Sequence, residues 1–272
     1  MRSFLLAALC AGLCAGSTAA LAQDEDDWEF QHEASLNQTV AVVRYDAGVA
    51  IVVQCRDRAL SLALVGMPAG VGGLEVQARR ADGRTDLQTW VPGPAPGILM
   101  SSVPARDIRF LRGGGLYSVR TVDGAPRALR TNFDLPTQSA NLDRVLTACG
   151  WGLTDDRDQL VRAGSEVKIE ISRREPPRGR GARAGRPDTP PPPPSAPTAP
   201  VAERQISCVI ERLKLTGCRF DHPALAAGAP SGASRILQIL ESLDLEAPDG
   251  VATDGQVFYP PAMITVTREQ LL

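Results

Sequence analysis

Short apolar runs separated by turn residues dominate the first half of the chain. Residues 39–45, 49–55 and 59–65 each read as a β-strand, with Leu60, Leu62 and Leu64 alternating toward one face. Leu74, Val76 and Ala78 alternate with Glu75, Gln77 and Arg79, and Asp82-Gly83 turns the chain into a second strand at 87–91, a hairpin. Residues 116–122 and 127–133 form another around Asp123-Gly124. The pattern switches to a helical period twice. Ser102 can cap a short helix that begins near Pro104 and ends at Gly113. A stronger helix covers 139–149, where Leu142, Val145, Leu146 and Cys149 fall at i, i+3, i+4 and i+7 and put Cys149 on the buried face.

Periodicity then stops. Residues 175–202 are rich in proline, glycine and arginine, a composition that cannot bury a core and that reads as a disordered linker, held extended by its prolines. Beyond it, 206–210 and 213–220 pair around a tight reversal near Arg212, so that Cys208 and Cys218 can face each other. Ser231 caps a helix with Ala233, Ile236, Leu237, Leu240 and Leu243 along one stripe, and a last strand at 256–267 is bent by Pro260-Pro261. The expected class is α+β: a mostly antiparallel β domain with a helix at its carboxyl end, followed by a small β-β-α-β unit. The expected division is 1–22, 23–172, 173–204 for the linker and 205–272 for the second domain.

The first segment is a leader. Arg2 precedes an apolar run from Phe4 to Leu13, and Ala20-Leu21-Ala22 supplies a cleavage site before Gln23, so export is expected, with cleavage after Ala22. The alternative is an uncleaved inner-membrane anchor facing the periplasm. Cys10 and Cys14 leave with the leader, and the four cysteines that remain, Cys55, Cys149, Cys208 and Cys218, imply disulfides in an oxidising compartment. Three pairings are possible. Proximity and the linker favour Cys55 with Cys149 and Cys208 with Cys218, whereas a zinc site lacks a C-x-x-C pair and has only His32 and His222 to draw on.

Overall charge is near balance, but Arg173, Arg174, Arg178, Arg180, Arg183 and Arg186 cluster against the single acid Glu175. This run reads as a solvated spacer or as a tether to anionic lipid or polysaccharide. Nucleic acid is not expected, because no aromatic residue is interleaved for stacking. No catalytic constellation emerges. His32 lies in an acidic amino-terminal stretch expected to fray, and His222 precedes a proline on a loop. Gly113-Gly114-Gly115 opens a strand, where a phosphate loop would open a helix. Asp155-Asp156-Arg157-Asp158 lacks the glycine and bidentate glutamate of a calcium loop and reads as a solvated helix start or turn. Trp28, Trp90 and Trp151 read as core or rim residues. No cofactor, metal or catalytic residue is assigned.

Cys208-Val209-Ile210 with Leu213, Leu215, Gly217, Cys218 and Arg219, the later helix, Pro248, and Asp254-Gly255-Gln256-Val257 before Tyr259-Pro260-Pro261 resemble the TonB carboxy-terminal domain over about residues 203–268. The preceding proline-rich segment is similar to the periplasm-spanning linker of that family. The resemblance implies a module that binds extended segments of outer-membrane receptors at a sheet edge, with Val257, Phe258, Tyr259, Ile264 and Val266 facing the partner. The chain departs from the family at 229–232, where Ala-Pro-Ser-Gly stands in place of a Gly-Phe-Gly turn, and in carrying a whole domain ahead of the linker. In that front domain, Phe133-Asp134-Leu135-Pro136 before a helix ending in Cys149 is similar to small exported proteins of the invasion-associated locus B type. The expectation is a periplasmic, non-enzymatic binding or adaptor protein of the cell envelope. The alternative is a TonB-type energy transducer in outer-membrane transport that keeps its amino-terminal anchor.

Overall fold

The alternation at 38–65 becomes three adjacent antiparallel strands, β2 (Gln38–Arg44), β3 (Ala50–Arg56) and β4 (Ala59–Val65), preceded by β1 (Glu29–Glu33). The computed structural model describes residues 26–68, 73–122, 128–170, 205–227 and 233–260. The expected leader at 1–22, the expected Asp123-Gly124 turn, the expected linker at 173–204 with its arginine run, Ser231, Pro261, Ile264 and Val266 lie outside the described residues. After β4 come β5 (Leu74–Arg80), β6 (Thr85–Pro92), β7 (Ile98–Ser101), helix α1 (Pro104–Leu111), β8 (Gly115–Thr121), β9 (Arg130–Leu135) and helix α2 (Ala140–Ala148). The strands form one nine-stranded antiparallel sheet in the order β1-β2-β3-β4-β7-β6-β5-β8-β9.

Ile51, Val53 and Cys55 from β3, Leu60, Leu62 and Leu64 from β4, and Leu74, Val76 and Ala78 from β5 enter one core with Trp28, Trp90 and Trp151. The sheet curls. Tyr45, just past β2, packs on Phe133 of β9 with ring centroids 5.3 Å apart and donates its hydroxyl to the Asp134 carbonyl at 3.0 Å. α2 lies against β2 and β3, and Cys149 at its end is bridged to Cys55 with an S–S distance of 2.06 Å.

α1 is buried along its whole length although it carries Arg106, Asp107 and Arg109. Its start differs from expectation. Ser101, not Ser102, accepts the Val103 N–H at 3.0 Å and donates to the Asp107 carboxylate, while Ser102 accepts from Arg162. At its end, the buried Arg80 of β5 donates to the Leu111 carbonyl at 3.0 Å and to that of Gly114, satisfying carbonyls a helix end leaves open.

The second lobe holds β10 (Lys168–Ile169), β11 (Ile206–Glu211), β12 (Lys214–Phe220), α3 (Pro223–Ala227), α4 (Ala233–Glu241), β13 (Leu245–Glu246) and β14 (Val257–Phe258). β11 and β12 reverse through Arg212 and Leu213, both at positive φ (52° and 58°), the backbone a two-residue hairpin requires. Cys208 and Cys218 are bridged across this hairpin, S–S 2.03 Å, and form a core with Ile210, Leu215, Leu240 and Phe258. The architecture is thus mostly antiparallel sheet with a few helices. Among the described residues no helix is long and apolar enough to cross a membrane.

Two departures from the sequence reading bear on function. Residues expected to fray at 29–33 form an edge strand. Residues 161–170, grouped by pattern with the front domain, pair with the second lobe: β10 runs antiparallel to β13, and Arg162 bridges in parallel to Val257.

Candidate functional site

Three places carry the chemistry worth weighing: the strand expected to face a partner, the seam between the lobes, and the edge of the front sheet. At β14, Val257 pairs with Val209 of β11 on one side. On the other, its N–H donates to the Val161 carbonyl at 2.8 Å and its carbonyl accepts from Ala163 at 2.9 Å. Residues 161–163 therefore occupy the edge that was expected to receive an added strand. Val257 and Phe258 are buried, and the Tyr259 ring lies 5.2 Å from the Arg162 guanidinium.

The seam is ionic. Arg106 and Arg109 lie one turn apart on α1, and Arg112 follows as its extended C-cap. Arg106 grips Asp86 with two 2.9 Å bonds and donates to the carbonyls of Arg157 and Leu160 at 2.8 Å each. Arg109 holds Asp158, and Arg112 holds Asp143 of α2 and the Leu153 carbonyl. The 156–159 turn between these arginines sends Arg157 the other way, into the second lobe, where it donates to the Ser207 carbonyl and hydroxyl and to the Gly217 carbonyl. Arg219 answers from β12, pairing with Asp155 and Asp156 at 2.6 Å. That pairing holds the Asp156 carboxyl down at about 2. The acidic run, expected to be a solvated helix start or turn, does open a short 3-10 helix capped by Asp155, but it is a bracket between lobes where open solvent was expected.

Behind the seam, Asp107 is fully buried, and its carboxyl is pushed up to about 7, chiefly by burial. Ser101 donates to one oxygen, and the nearest cation to the other is Arg162 at 3.8 Å. Burial likewise raises the Tyr259 hydroxyl and the Asp221 carboxyl above their ordinary values. These groups sit within packed protein: Asp221 accepts from Ser207 and Gln205 and Tyr259 lies against Arg162, whereas Asp107 Oδ1 has no hydrogen-bond partner among the described residues. Among the described residues no three His, Cys, Asp or Glu side chains are gathered to hold a metal ion.

The edge of the front sheet is different in kind. Asp57 donates to the Asn37 carbonyl and Tyr45 to that of Val49, so odd-numbered residues of β2 face β3 and even-numbered ones face β1. The register Glu29 to Val42 and Gln31 to Val40 then turns odd-numbered residues of β1 toward β2. The main-chain groups of Phe30 and His32 point away from the sheet. Their side chains, with Thr39, Asp143, Arg144, Thr147 and Ala148, line an open groove of about 510 Å³ between β1 and α2. His32 Nδ1 lies 3.1 Å from the Thr39 hydroxyl, and the Arg144 guanidinium lies 3.8 Å from the centroid of the Phe30 ring.

No family model, no curated protein and no solved structure matches the chain. Pattern alone placed the cysteines. It did not find the arginine row of α1 and its C-cap, although the i, i+3, i+6 spacing of Arg106, Arg109 and Arg112 and the Asp155–Asp158 spacing were a readable signal of matched charge.

Proposed function

We propose that the chain is an exported, disulfide-held, non-enzymatic binding protein of the cell envelope, its second lobe a TonB-like interaction module fixed against the front sheet. The observation that carries this reading is the distribution of bridges. Each of the two cores contains one bonded pair drawn from the four cysteines beyond the leader, Cys55–Cys149 and Cys208–Cys218. Such bridges persist in oxidising compartments and are reduced in the cytosol. The hairpin, helix and closing strand of the second lobe, with its bridge across the hairpin, support the TonB-like part.

The experiment expresses the full chain in a Gram-negative host, fractionates the cells, and measures thiol alkylation and intact mass. A periplasmic chain starting at Gln23 with no alkylated cysteine is expected. A cytoplasmic chain with free thiols at all four positions overturns the proposal. Affinity capture from envelope extract on the oxidised chain tests binding, and recovery of no partner counts against it.

A further inference from the structure

We propose that the edge of β1 left unpaired among the described residues, with the groove between it and α2, receives an extended segment of another protein whose side chains alternate basic and apolar, added as a tenth strand to the nine-stranded sheet. The proposal rests on the binding reading above and names the partner's chemistry. Three observations carry it. First, Phe30 and His32 present outward N–H and C=O groups at two-residue spacing, which is what strand addition uses. The Trp28 carbonyl, next in the same phase, already accepts a side-chain donor, Asn141 Nδ2, at 2.7 Å.

Second, the two faces of β1 differ. Phe30 and His32 look into the groove, where Thr147 and Ala148 are small and the Phe30 ring, with the Arg144 guanidinium stacked on it, lines the floor. Glu29, Gln31 and Glu33 are exposed on the opposite face, Glu29 in a solvent-facing ion pair with Arg44 and Glu33 accepting from Ser35 through one oxygen. An added strand also alternates. Its apolar side chains would fill the groove, and lysine or arginine would stand beside Glu29 and Glu33. A second copy fits less well: two β1 strands paired antiparallel about Gln31 would set Glu29 against Glu33 of the other copy at both ends, and like charges directly opposite are destabilising.

Third, the other edges are partly taken: on β12 the Cys218 N–H donates to Glu241, the Gly217 carbonyl accepts from Arg157, and Lys214 bridges to Asp244. Val257 in β14 is paired on both sides, and the β9 carbonyl at Asp134 accepts the Tyr45 hydroxyl.

The test titrates the full oxidised chain into two labelled seven-residue peptides, one alternating lysine and valine, the other glutamate and valine, and reads fluorescence anisotropy. The lysine peptide is expected to bind with a Kd on the order of 10 μM and the glutamate peptide at least about ten-fold more weakly. His32→Pro removes an outward N–H without touching the β1–β2 ladder and is expected to weaken binding about ten-fold or more. Gln31→Lys with Glu33→Lys is expected to reverse the preference between the peptides; His32→Pro gives up the Thr39 contact and Glu33→Lys the Ser35 contact, so both variants are expected to melt slightly below the parent and as cooperatively.

Absence of binding, equal binding of both peptides, or indifference to His32→Pro overturns the proposal. So does sedimentation showing a dimer that His32→Pro dissociates, which would give the edge to a second copy. Cytoplasmic recovery would remove the export reading and leave peptide binding intact, so the two failures are distinguishable.

Discussion

His222 of the second lobe sits against Cys149 of the first: its Nε2 lies 3.0 Å from the Cys149 carbonyl, and its ring stands edge-on to Trp151 at 4.9 Å. Nδ1 accepts the Ala224 N–H, which places the ring proton on Nε2 and makes it the donor to Cys149. The turn beneath is fitted to this contact. Gly150 takes φ +76°, and a Cβ there would lie 3.3 Å from two atoms of the imidazole.

His222→Ala should therefore lower stability by about 2 kcal/mol, from one buried hydrogen bond and one aromatic contact. Tryptophan emission should shift to the red as Trp151 gains water, and urea titration followed by fluorescence checks both. Gly150→Ala should destabilise in the same assay by about 1 kcal/mol or more.

Arg157 is the pin between the lobes. Replacing it with leucine leaves the Ser207 and Gly217 carbonyls without their donor, at a cost of about 3 kcal/mol. The second lobe is expected to melt separately and first. Calorimetry that still shows one transition at the parent temperature would contradict this role.

The two bridges should differ in worth. Loop-closure entropy assigns about 5 kcal/mol to a bridge spanning 94 residues and about 3 kcal/mol to one spanning 10. Paired Cys→Ala variants, unfolded in urea, should rank in that order, and strong reductant should lower both transitions.

Asp107 predicts a pH dependence. Its carboxyl titrates near 3.8 in the unfolded chain and is raised to about 7 in the fold, so the native state binds the extra proton between those values. Stability from this group is greatest below about 4, falls as pH rises through that window, and is level above it. In Asp107→Asn that decline should vanish. The comparison is urea unfolding of both proteins at intervals across the window.

Local pattern read the strands at 59–65 and the helix before Cys149 well because each buries one continuous apolar face: Leu60, Leu62 and Leu64 on one, Leu142, Val145 and Leu146 on the other. β1 escaped because its sequence, Glu-Phe-Gln-His-Glu, has one apolar residue and takes its place from a ladder to β2. β10, β13 and the Arg162 bridge escaped for a related reason. Their two-residue pairings depend on a partner more than 75 positions away, and no local periodicity records that. The cysteine pairing was legible from spacing. The ionic seam was half legible, since the charges were visible in sequence but their burial was not.

The pairing of β10 with β13 changes what the stretch between 171 and 204 can do. Glu170 donates to the Asp244 carbonyl, and Gln205 bonds to Asp221, so the chain leaves and re-enters the same lobe. Neither bridge crosses it: Cys55 and Cys149 both precede it, and Cys208 and Cys218 both follow. A protease cutting there would yield two fragments that still co-elute, held by the β10–β13 ladder, the main-chain bonds of Val257 to Val161 and Ala163, and the Arg157 and Arg219 side chains. Insertions or deletions in it would leave the distance between the two bodies unchanged.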